Sequence, residues 1–106
     1  MSPLADFPKL MPKFELGRCV ATQASLALIR DCGEEPETFL ARHAWGDWGE
    51  LDDEDKRANE RAVKNGSRLL SCYRLARSGC QVVAGHVWVI TEADRSATTL
   101  SLPSEY

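Results

Sequence analysis

Between residues 68 and 102 the chain carries three apolar-rich runs separated by turn residues, and their alternation restricts the architecture more than any other feature. A run whose side chains point alternately to opposite faces is a strand with one face to bury, so the rest of the chain must cover that face. Leu69, Ser71, Tyr73 and Leu75 share one face, while Leu70, Cys72 and Arg74 share the other. Gly85-His86-Val87-Trp88-Val89-Ile90-Thr91 is dense in β-branched and aromatic residues, as strands are. After Glu92-Ala93-Asp94-Arg95-Ser96, residues 97–102 alternate again, the signature of a hairpin with a five-residue loop. Arg77-Ser78-Gly79 is the expected turn into residues 80–84, and Gly85 is expected to mark a bulge.

Upstream the signals are helical. Residues 16–21 read as a short strand or an extended lead-in, and Thr22 then offers an N-cap with Gly33 at the far end. Between them Leu28 and Ile29 are expected to face inward. A second helix starts at Pro36, whose missing N–H suits a first helical position, with Glu34, Glu35 and Glu37 complementing the helix dipole. Its apolar stripe is Phe39, Leu40 and Ala44, and Gly46 and Gly49 break the pattern around Trp48. Asp52 opens a third helix with Asp55 three residues on, and Asn65-Gly66 closes it. Only Ala58, Ala62 and Val63 are apolar there, so most of its circumference stays wet. The fold class is therefore α+β, with N-terminal helices packed on a small antiparallel three-stranded C-terminal sheet. Residues 16–106 form one domain, and residues 1–15, with Pro3, Pro8 and Pro12, form a flexible arm.

At 106 residues, 43% hydrophobic and 27% charged, one such domain can bury a core without staples. The net charge of −3 excludes a generically basic nucleic-acid binder but leaves room for a local patch. Cys19, Cys32, Cys72 and Cys80 contain no C-x-x-C pair, and the opening residues lack an unbroken apolar run. Reduced thiols, a cytoplasmic setting and no membrane segment are the expectation.

Arg57, Arg61, Lys64 and Arg68 are spaced 4, 3 and 4 apart, which puts all four cations on one face if the third helix reaches Arg68. Such a row can track a phosphate backbone, and Trp45, Trp48, Tyr73 and Trp88 supply rings on which bases stack. The plainer account is that Lys56, Glu60 and Lys64 pair at i, i+4 and that Trp88 is core. Asp47, Glu50, Asp52, Asp53, Glu54 and Asp55 form the opposite candidate, a run that mimics phosphates and binds a basic partner surface. They lack the ligand spacing of a calcium loop, and capping accounts for part of the run. His43, with Asp47 four residues later to orient it, is the best catalytic pair, yet Gly46 interrupts the helix between them. No nucleophile or metal-ligand motif accompanies it, so no enzyme activity, cofactor or metal is expected. Residues 23–45 also have the outline of a helix-turn-helix, whose second helix offers Glu37, Thr38 and Arg42 but little positive charge.

Trp88-Val89-Ile90-Thr91-Glu92-Ala93-Asp94-Arg95-Ser96-Ala97-Thr98-Thr99-Leu100, followed by Leu102-Pro103 and Glu105-Tyr106, resembles the ending of small proteins encoded on bacterial plasmids, phages and other mobile elements. Phe39-Leu40-Ala41-Arg42-His43, Gly46-Asp47-Trp48-Gly49 and Arg68-Leu69-Leu70-Ser71-Cys72-Tyr73-Arg74 are similar to the same group. The likeness covers residues 16–106, and the chain departs from the group in a longer stretch between Leu75 and Gly85. Its size and acidity also resemble anti-CRISPR proteins directed at type I systems, specifically subtype I-E. That resemblance implies a non-enzymatic inhibitor in the bacterial cytoplasm, acting on the CRISPR surveillance complex or its displaced single-stranded DNA and blocking the helicase-nuclease. Those families share no motif, so the resemblance assigns no residue. Two alternatives stand beside single-strand capture by the basic row: the acidic run as a DNA mimic on the effector, and a small mobile-element regulator or antitoxin-like protein.

Overall fold

The computed structural model describes residues 12–76 and 83–106. Its elements are β1 (Arg18–Ala21), α1 (Gln23–Asp31), α2 (Pro36–Ala44), α3 (Asp53–Asn65), β2 (Leu69–Ala76), β3 (Val83–Thr91), β4 (Ala97–Ser101) and a closing 3-10 turn (Pro103–Glu105). The sheet runs β1-β4-β3-β2, with β2, β3 and β4 antiparallel and β1 parallel to β4.

The expected antiparallel meander is therefore present, but the sheet has four strands and is mixed, and a strand precedes the helices. Pairing β4 with β3 leaves β4 one free edge, and the lead-in fills it. Arg18 N–H donates to the Ser96 carbonyl at 3.0 Å and Thr22 N–H to that of Leu100 at 3.0 Å. The three helices and two strands in between supply the long crossover that a parallel pair requires.

Each helix starts where its capping chemistry places it. Thr22 Oγ1 accepts from Ser25 N–H at 3.1 Å, Pro36 opens α2, and Asp52 Oδ1 accepts from Asp55 N–H at 2.8 Å. Gly66, in the left-handed region at φ 77°, stops α3.

The odd-numbered residues of β2 face the helices, as their alternation requires, together with Val87, Val89, Thr91, Thr98 and Leu100. Ile29, Cys32 and Phe39 from the α1–α2 side close over Tyr73, Leu75, Val87, Val89 and Leu100. Each such aliphatic or aromatic side chain contributes about 1.5 to 3 kcal/mol when fully buried. A second cluster of Phe14, Trp48, Ala62 and Leu69 lies under α3.

The hairpin from β3 to β4 has the expected five-residue loop. β2 and β3 stay paired from Leu69↔Thr91 to Ala76↔Val83, despite the longer intervening stretch. Their register shifts after Leu75↔Gly85, leaving Ala84 as the extra residue of the expected bulge. The turn expected at Arg77-Ser78-Gly79, and Cys80, lie outside the described residues. Residues 12–15 belong to the packed domain rather than to an arm. Lys13 N–H donates to the Ala44 carbonyl at 2.7 Å, and Phe14 is only 9% exposed because it stacks on Trp48. The remainder of the expected arm, residues 1–11, lies outside the described residues.

Candidate nucleic-acid interface

α3 touches the sheet through one narrow face. Ala62 and Asn59 are its buried residues, and the Asn59 amide satisfies the free edge of β2 by donating to the Leu70 carbonyl at 2.7 Å and accepting from its N–H at 3.3 Å. Residues at i, i+4 and i+7 then fall on the far side, so Arg57, Arg61 and Lys64 are all exposed. Among the described residues the ion pairs are Lys13–Glu60 at 3.5 Å, Arg42–Asp47 at 2.6 Å and Arg74–Glu50 at 3.9 Å, none of which engages the row. The expected Lys56-Glu60-Lys64 ladder does not form. Glu60 instead accepts the Trp48 indole N–H at 2.7 Å and faces Lys13.

Arg68 leaves the row. Because Gly66 ends the helix, Arg68 opens the approach to β2, and its guanidinium lies over the Tyr106 ring at 4.7 Å. There it borders the sheet face that α1 and α2 leave uncovered. Leu70, Trp88 and Ile90 form the floor of a pocket of about 210 Å³ on that face, walled by Asn59, Arg68 and Tyr106. The Trp88 and Tyr106 rings meet at 5.8 Å with 61° between their planes. Farther along this face Arg74 pairs with His86 in register, and both are exposed.

The two tryptophans expected to stack on bases are placed differently. Trp48 is 4% exposed, packed between Phe14 and His43, and offers no ring face to a ligand. Trp45 is half-buried and lines a separate pocket with Pro12, Phe14 and Leu16. Tyr73 is fully buried, its hydroxyl donating to the Asp47 carbonyl at 2.5 Å. Trp88 and Tyr106 are the rings beside the cations. Sequence reasoning left Trp88 open between a base-stacking ring and a core side chain, because alternation separates the two faces of a strand without saying which one the helices cover.

The acidic run is partly spent within the fold. Burial pushes the Asp47 carboxyl up, but the Arg42 and Gly49 hydrogen bonds and the Arg42 charge outweigh it and hold the group below the usual carboxylate range. Glu50 faces Arg74 and Asp52 caps α3, while Asp53, Glu54 and Asp55 stand exposed in its first turn.

The catalytic pairing does not assemble. Asp47 binds Arg42, and His43 lies fully buried between Ser71 Oγ at 2.5 Å and Thr91 Oγ1 at 2.9 Å. Thr98 Oγ1 donates to the Leu16 carbonyl at 2.7 Å, so it accepts from Thr91, which in turn accepts from His43 Nε2–H. With Nε2 protonated, a neutral ring accepts from Ser71 at Nδ1. Burial, with a smaller push from the Arg95 charge, lowers its pKa to about 3. Arg42, the cation named for the second helix of the helix-turn-helix reading, is held over Tyr73 at 4.4 Å and by Asp47. Among the described residues no group of histidine, cysteine or acidic side chains can hold a metal ion, and no helix is long and apolar enough to cross a membrane.

No protein-family model matches the chain, and neither a curated protein nor a solved structure resembles it significantly.

Proposed function

We propose that the protein is a non-enzymatic inhibitor of a type I CRISPR system that holds the single-stranded DNA displaced in the R-loop and so denies it to the helicase-nuclease. The observation that carries the DNA-binding part is the row Arg57, Arg61 and Lys64, solvent-facing on α3 and paired with no carboxylate among the described residues. Cations in that state release counterions when they meet a polyanion, which drives association without sequence readout. Arg68, over Tyr106 and beside Trp88, extends the positive charge to the uncovered sheet face. The CRISPR setting comes from the resemblance to anti-CRISPR proteins in size, acidity and mobile-element character, the last of these drawn from the likeness at residues 16–106. A protein of net charge −3 needs the charge so localised, since its overall field repels nucleic acid. The acidic-mimic alternative is weaker, because Asp47, Glu50 and Asp52 already have partners within the fold.

The test is helicase-nuclease degradation of a preformed R-loop with increasing protein. Inhibition saturating near one protein per displaced-strand site, and lost in R57E/R61E, is the expected result. Inhibition that survives in R57E/R61E, with the protein bound to the surveillance complex in the absence of DNA, contradicts strand capture.

A further inference from the structure

We propose that the pocket on the uncovered sheet face is a nucleotide subsite that takes one unpaired base of single-stranded DNA against the rings of Trp88 and Tyr106. This rests on the single-strand reading above and adds to it the place where a base, rather than a phosphate, is held.

The walls match a flat heterocycle. Trp88 and Tyr106 meet edge to face, with 5.8 Å between ring centroids at 61°, and together form one aromatic wall against which a base can lie, while Ile90, 2% exposed, lies beneath with Leu70. A volume of about 210 Å³ accommodates one ring system and not a base pair. A base inside a duplex cannot enter without unstacking, so the pocket favours single strands.

Charge identifies the rest of the ligand. Among the side chains of the described residues that line the pocket, the one that carries charge is that of Arg68 at the rim. A guanidinium there is complementary to the phosphate that accompanies an inserted base. The lining also specifies what the pocket does not read. The Asn59 amide is held in place by one hydrogen bond in each direction with the Leu70 backbone, so the larger surface offered to a base is that of the rings. Bases are therefore taken with little discrimination among them.

The experiment compares fluorescence anisotropy titrations of an oligothymidylate and an abasic deoxyribose-phosphate oligomer of equal length, at one salt concentration. The abasic strand is expected to bind about 5- to 150-fold more weakly, the range that one stacked base supplies. Y106A and W88L are expected to weaken oligothymidylate binding towards the abasic value and leave abasic binding unchanged. Tyr106 is 63% exposed, so Y106A is expected to keep the wild-type melting temperature. Equal affinity of the wild-type protein for the two oligomers overturns the subsite while leaving capture by the cation row intact. Absence of binding to either overturns both readings.

Discussion

His43 occupies a position that a hydrophobic side chain would fill in most cores, and its polar ring is accommodated because both nitrogens have partners on the sheet. The ring also meets Phe14 at 5.1 Å and Trp48 at 5.8 Å, so it joins the second cluster to β2 and β3. Its neutrality makes stability depend on pH. The folded pKa of about 3 lies below the unfolded value of 6.5, so the unfolded chain alone binds a proton in that interval. Stability is complete above pH 6.5 and is lost as pH falls, by up to about 1.4 kcal/mol per unit. Urea unfolding at pH 7 and pH 4.5 is expected to differ by roughly 2 to 3 kcal/mol, with the dependence much reduced in H43Q. A flat profile in the wild-type protein contradicts a buried neutral ring. Arg95 is the second residue on which the fold turns. At φ 61° it sends Nη1 to the Ser67 carbonyl at 2.6 Å and Nη2 to that of Ala62 at 2.9 Å, tying the hairpin loop to the end of α3. R95A is expected to cost about 2 to 4 kcal/mol in chemical denaturation, and a loss under 1 kcal/mol contradicts that role. Neither residue announces itself locally. Asp47 at i+4 gave His43 an apparent partner, whereas its real ones come from strands 28 and 48 residues away.

Elements were legible wherever a local device sets them. The Thr22 and Asp52 caps, Pro36, Gly66 and the alternation of β2 act within a few residues, so the sequence locates them. β1 escaped that logic because four residues make it a strand only by pairing with β4, nearly the whole chain away. Trp48 escaped it too, because flanking glycines usually mark an exposed turn. Gly49 instead lets the backbone press against β2, with Cys72 N–H donating to the Trp48 carbonyl at 3.2 Å and Glu50 N–H to that of Cys72 at 2.6 Å. A Cβ on Gly49, at φ 75°, would overlap the Cys72 carbonyl oxygen. G49A is accordingly expected to lose more than about 2 kcal/mol, measured by urea unfolding, and near-wild-type stability would sink this account of the contact. α3 behaves in the opposite way. R57Q/R61Q removes two solvent-facing cations and is expected to leave stability within about 0.5 kcal/mol of wild type.

At the scale of the whole molecule, a sheet covered by α1 and α2 on one face leaves an aromatic, basic strip on the other, bounded by the cation row of α3. The sequence supplied the row and its spacing, and the structure moved Arg68 from the helix to the strip, where it joins charge to rings. The most direct test of strand capture by that row is the salt dependence of single-stranded DNA affinity, measured for the wild-type protein and R57Q/R61Q. Three or four phosphate contacts predict a slope of log K against log salt of about −2 to −3, made shallower by about 1.4 in the double variant. A salt-independent affinity, or a slope that the two substitutions leave unchanged, would contradict it.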